Sequence, residues 1–195
     1  MSIFSSPRER RLWLALAIVL AAIYATLGQA PAIVAALGAS ILDNVGSNLV
    51  FAIIALLVVI PVFFIDKRLS RQEIAVGAGI LTVYLLAWLR LGSWEKRTHL
   101  FEYALVAALV HEALLERRDK GRRVPAPALL ALILSIGLGW LDESIQSLLP
   151  NRVFELIDVA FNSIAATMII GARWVVARVR RWLQSRRGAR HSPSP

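Results

Sequence analysis

The chain has 195 residues, 57% of them hydrophobic, and a mean hydropathy of +0.63; with almost no continuous polar stretch it is excluded as an ordinary soluble domain and reads as an integral membrane protein. The net charge of +9 looks like a nucleic-acid signal until the charges are located: they lie in short clusters between apolar runs and at the C-terminus, so they report topology and contact with anionic lipid. There is no cysteine, which excludes disulfides, thiol catalysis and thiolate metal sites.

Residues 1–11 form a basic cytoplasmic head with Arg8, Arg10 and Arg11. The apolar run 12–28 fits a signal peptide or a first span, and the absence of a small-x-small cleavage signal predicts a retained helix. Residues 31–42 are apolar but too few to cross a bilayer, so they are expected to lie in the interface or to dip in and return. Spans are predicted at 48–65 and 74–91, separated by the charged turn DKRLSRQE, and a fourth at 100–115, ending in ERRDKGRR. Pro125 and Pro127 open a fifth helix, because a helix's first turn has no amide partners to lose. It should stop at Leu149, the residue before Pro150 being pushed out of helical geometry. A sixth helix is predicted over 154–176, followed by a frayed basic tail over 178–195. The fold expectation is therefore an all-α polytopic membrane bundle of about six transmembrane helices over 12–177, with one short re-entrant or interfacial segment after the first.

In that arrangement all of the 22 Lys and Arg residues except Arg90, Lys96, Arg97 and Arg152 fall on one face, which puts both termini in the cytoplasm. At ~1.5 Å of rise per residue, Glu102 and Asp158 lie roughly 22 Å, and Asp142 roughly 27 Å, above the nearest cytoplasmic charges. Several helices thus bring polar groups to one level of a hydrocarbon layer about 30 Å thick. Loop-edge position alone accounts for Arg90, Lys96 and Arg152, but not for Glu102, Asp158 and Asn162, which lie about a turn or more inside.

The stretch LDESIQSLLPNRVFELIDVAFN, residues 141–162, carries most of these groups, and ionisable residues inside a span mark a functional site by default. Glu95, His99, Glu102 and Tyr103 are spaced to form one helical stripe, in which an imidazole beside a carboxylate is a general-base arrangement. Asp142 and Gln146, and Asp158 and Asn162, are each four apart and present stacked pairs to a neighbouring helix. Interhelical hydrogen bonding that only holds the bundle together is the competing reading. Asp158 and Glu155 sit in the first turns of their helix, where the dipole favours negative charge, while Asp142 and Glu143 sit near the C-terminal end of theirs, where it does not. Arg152, Arg90, Lys96 and Arg97 suit an anionic headgroup or lipid-linked phosphate, or are solvated loop charges. A hard divalent ion such as Mg2+ would suit one His with several carboxylates better than Zn2+, but no metal motif indicates it. His111 and Glu112 read as interface residues reaching the inner headgroups, and no phosphate loop, serine elbow or nucleic-acid module is present.

EKRTHLFEYALVAAL, through Lys96, His99, Glu102 and Tyr103, and DESIQSLLPNRVFELIDVAFN, through Asp142, Glu143, Gln146, Arg152, Asp158 and Asn162, resemble the motifs of the VanZ-like family of bacterial membrane proteins. Asn48 and Phe51 are similar to a weaker signal of that family, and the resemblance covers 48–171. Ala165 departs from the family's usual glycine, which would widen helix packing there. The resemblance implies a cell-envelope protein of the inner membrane, with a link to teicoplanin susceptibility and no biochemical activity generally assigned. Two functional expectations stand together. One is an enzyme acting on a lipid or lipid-linked envelope intermediate, with His99, Glu102, Asp142, Glu143 and Asp158 in acid-base roles and Asn48, Lys96, Tyr103, Gln146, Arg152 and Asn162 holding substrate. The other is a non-catalytic lipid-headgroup binder or transporter.

Overall fold

The computed structural model describes residues 3–26, 79, 82, 86, 94–150 and 152–189, apart from the side chains of 26, 94–99, 183 and 187–189. Among the described residues there is no strand, and the chain forms α1 (Pro7–Thr26), α2 (Trp94–Asp119), α3 (Pro127–Gln146) and α4 (Leu156–Ala189). These coincide with the first, fourth, fifth and sixth predicted spans. Two of them, α3 and the Leu156–Arg186 part of α4, are long and apolar enough to cross a membrane. The predicted interfacial segment 31–42 and span 48–65, with Asn48 and Phe51, lie outside the described residues. So does the span 74–91 with Arg90, apart from helical positions at Gly79, Thr82 and Leu86.

Each helix end has a local cause. The Ser6 hydroxyl accepts the Glu9 amide at 3.0 Å, and the Glu9 carboxylate reaches back to the Ser5 amide at 2.6 Å, a variant of the capping box with Pro7 at the first helical position. Arg8, Arg10 and Arg11 of the basic head thus belong to α1. Gly121, at φ 82°, ends α2: the Arg122 amide bonds the Arg117 carbonyl at 3.2 Å and the Gly121 amide bonds Arg118 at 2.9 Å, the Schellman pattern. Ala126, between two prolines, takes a left-handed φ of 41° and turns the chain into α3.

Two boundaries differ from expectation. The fifth helix ends at Gln146, three residues early, because Leu148 and Leu149 bond back to Ile145 and Gln146 and tighten the chain into a turn before Pro150. The basic tail is helical as far as Ala189 instead of frayed from 178. No proline interrupts it there, arginine is a good helix former, and Arg186 stacks over the Trp182 ring at 4.0 Å.

Helix α2 packs against the other three, and α3 also packs on α4. Its buried face is largely small, with Ala104, Ala107, Ala108 and Ala113, so the neighbouring backbones approach closely. Tyr103, Val106 and Val110 fill the gaps against Leu16 and Ile23 of α1, Ala131 of α3, and Ala165, Ala166 and Ile169 of α4. Outward-facing Leu129, Ile133, Leu134, Trp140, Ile157 and Ile164 remain exposed, as the helices of a bundle facing an apolar solvent would leave them.

Candidate functional site

Polar side chains from α2, α3 and α4 meet where the N-terminal half of α2, the C-terminal end of α3 and the start of α4 come together. Tyr103, Asp142 and Asn162 are fully enclosed, and Glu143, Gln146 and Asp158 are nearly so. Such burial is rare for carboxylates and has to be supported by neighbouring polar groups.

Asp142 occupies the middle. Its carboxyl faces the Gln146 amide and the Tyr103 hydroxyl, and it is electrostatically coupled to Asp158 and Arg152. Glu102 and Tyr24 of α1 also lie within the range of its charge. The Tyr103 hydroxyl donates to the Leu138 carbonyl at 3.0 Å, which pins α2 to α3. Glu143 accepts the Glu155 amide at 3.2 Å and the Gln146 amide at 3.4 Å. It therefore anchors the entry into α4, which is why its unfavourable place at a helix C-terminus is tolerated. Glu155, by contrast, precedes the helix, is exposed, and gives its carbonyl to the amides of Asp158 and Val159.

Asn162 packs against Gly139. A Cβ at Gly139 would stand 3.0 Å from the Asn162 Cβ, 3.2 Å from its Nδ2 and 3.4 Å from the Tyr103 ring, so a side chain there would push Asn162 back by a few tenths of an ångström. Both polar atoms of the Asn162 amide are buried without a hydrogen-bond partner among the described residues. Ala165 is enclosed in the core, and the close helix contact falls at Gly139 instead.

The structure thus brings together Glu102, Tyr103, Asp142, Glu143, Gln146, Asp158 and Asn162, with half-buried Arg152 at the edge. Lys96 and His99 lie on the first turns of α2, but their side chains, like Asn48, are outside the described residues. Among the described residues no three His, Asp or Glu side chains are disposed to hold a metal ion.

A second polar network, at the opposite end of the helices, escaped sequence reasoning. Arg8 pairs with Glu112 at 3.0 Å and with Glu116 at 3.1 Å, Arg117 with Glu9 at 2.8 Å, and Arg173 of α4 with Glu112. His111 is buried, and Glu112 joins α1, α2 and α4 because its carboxylate pairs with both Arg8 and Arg173. Burial pushes the Glu9 carboxyl up, but the Ser5 hydroxyl and amide, Arg117 and Trp13 outweigh it and hold the group below its ordinary value. The Ser6 hydroxyl, with Arg8 and Lys120, does the same for Glu116. Ser-Pro-Arg-Glu at residues 6–9 was the local signal for the cap; the pairings across more than a hundred residues had none. Tyr24 and Ser135, buried hydroxyls without partners among the described residues, were likewise indistinguishable from apolar-face neighbours in the sequence.

Compared with protein-family models, curated proteins and solved structures, the chain matches none.

Proposed function

We propose that this chain is a VanZ-like membrane protein of the bacterial cell envelope, with six spans and both termini in the cytoplasm. Its acidic cluster acts at the outer leaflet on a lipid or lipid-linked envelope intermediate, by hydrolysis or group transfer. The observation that carries the reading is the enclosure of Asp142, Asp158 and Asn162, from two helices, beside Glu102 and Tyr103 from a third. Tyr103 and Glu143 already hold backbone groups and serve position. Glu102, Asp142 and Asp158 serve proton transfer, taking the proton from water or an acceptor hydroxyl as it attacks and returning one to the oxygen that departs. Arg152 at the rim supplies a cation for the anionic group of the substrate, and the Asn162 amide a donor and an acceptor to orient it.

A headgroup binder without catalysis is the second reading, favoured by the number of cluster groups already engaged in holding the helices. Glu102→Gln and Asp142→Asn separate the two. For an enzyme, turnover of extracted envelope lipids by the purified full-length protein falls about a hundredfold or more while the thermal midpoint stays within a few degrees. A binder keeps lipid affinity and phenotype in both variants. If the variants only lose thermal stability, the cluster is structural and the proposal fails.

A further inference from the structure

The same helices carry a second hollow at their basic end. A cavity of about 560 Å3 lies between the end of α2, the start of α3 and the middle of α4. Arg118, Arg173, Arg180 and Arg181 line it, together with a single carboxylate, Glu112. That carboxylate already answers Arg8 and Arg173, and Asp119 pairs with Arg118 at 3.6 Å, so four arginines against two carboxylates leave the cavity wall with an excess of positive charge. The first turn of α3, at Ala126, Pro127 and Ala128, faces the same space; Pro127 has no N–H, but the Ala128 amide, without an acceptor inside the helix, adds to the positive field.

Charge alone would suit any phosphate. The neighbouring surface is more selective: Ala128 and Trp174 are shared with an adjoining hollow of about 270 Å3 whose exposed surface is apolar. It runs along α3 and α4 past Leu132, Thr167 and Ile170, away from the arginines. A guanidinium-lined chamber that opens into a greasy channel along two membrane-length helices has the polarity sequence of one phospholipid molecule.

We propose that these joined hollows bind an anionic phospholipid, with its phosphate among Arg118, Arg180 and Arg181 and an acyl chain along Leu132, Ile170 and Trp174. The site rests on the reading of the chain as a membrane protein, and not on the chemistry of the carboxylate cluster at the other end. Arg173 and Glu112 tie this site to α1 and α2, so an occupied site braces the bundle.

The test is thermal unfolding of the full-length protein in neutral detergent, titrated with dioleoylphosphatidylglycerol, dioleoylphosphatidylcholine or glycerol 3-phosphate. A saturable rise in melting temperature is expected with phosphatidylglycerol at a half-saturating concentration roughly tenfold below that for phosphatidylcholine. Glycerol 3-phosphate, lacking the chains, should give no rise at those concentrations. The double variant Arg180→Gln, Arg181→Gln should raise the phosphatidylglycerol half-saturation about tenfold or more. Arg118→Gln, on a different helix, should weaken it in the same direction even if the double variant folds poorly. Leu132→Trp should weaken lipid binding by filling the channel, while Arg186→Gln, outside the cavity, should leave it within about twofold. Equal responses to the two lipids, an equal response to glycerol 3-phosphate, or unchanged binding by the arginine variants would overturn the proposal. Asp142→Asn should not alter phosphatidylglycerol binding, so failure at the acidic cluster and failure here are read separately.

Discussion

Asn162 is the residue at which stability and function pull apart. Its amide is enclosed with no partner among the described residues, and a buried amide in that state costs free energy unless a ligand supplies the hydrogen bonds. Asn162→Leu, similar in size and lacking the polar atoms, is therefore expected to melt at or above the wild-type temperature while losing the envelope phenotype. A lowered melting temperature would make the amide a structural group. Glu9 and Glu116 behave in the opposite way, since each is held below its ordinary value of 4.5 by partners it has only in the folded chain. Their contribution is complete above that pH and disappears as pH falls through the lowered folded values. Glu9→Gln and Glu116→Gln should each lower stability at pH 7 by about 1–3 kcal/mol, the range for hydrogen bonds to charged groups. In denaturant titrations the gap between wild type and variant should begin to close as the pH drops below 4.5 and vanish below the lowered folded values. A gap that persists in acid would mean that shape, not charge, is what these residues contribute.

Among the elements, α2 is the axis because its small residues admit a neighbour on several sides, and α3 comes close to α4 at Gly139. Gly139→Ala places a methyl 3.0 Å from Asn162, so the helices must separate or the amide must move. A loss of about 1–3 kcal/mol and a disturbed acidic cluster are expected, read by thermal unfolding and by any lipid turnover. Gly137→Ala, two residues away with nothing within 4 Å, should be neutral or gain up to about 1 kcal/mol from helix propensity. Equal effects at the two glycines would show that close packing at Gly139 is not what matters. The apolar runs and the Pro125 and Pro127 start were legible because hydrophobic length and proline geometry are local signals. The helical extent of the tail was not, because basic composition was weighed as disorder although arginine suits a helix well.

At the scale of the molecule, the topology proposed from the distribution of Lys and Arg would make the acidic cluster and the arginine cavity face opposite leaflets. The absence of native cysteine makes this directly measurable with single introduced thiols. Leu148→Cys, in the strongly exposed turn between α3 and α4, should react with an impermeant maleimide on intact spheroplasts. Ser185→Cys, on the exposed basic end of α4, should react only after permeabilisation. The reverse pattern would invert the topology and assign the acidic cluster to the cytoplasm.

The chain's own pattern determined that it is helical and apolar, where several helices begin and end, and that Glu102, Asp142, Asp158 and Asn162 share a level. Hydropathy, proline and rise per residue are properties of a segment by itself, so they can be read without its neighbours. Only the tertiary structure decided that Glu143 anchors the start of α4, that Glu112 stands between Arg8 and Arg173, and that Gly139 makes room for Asn162. Those partners depend on how each helix is rotated against the next, and that rotation is set by the fit of two surfaces, which neither segment encodes alone.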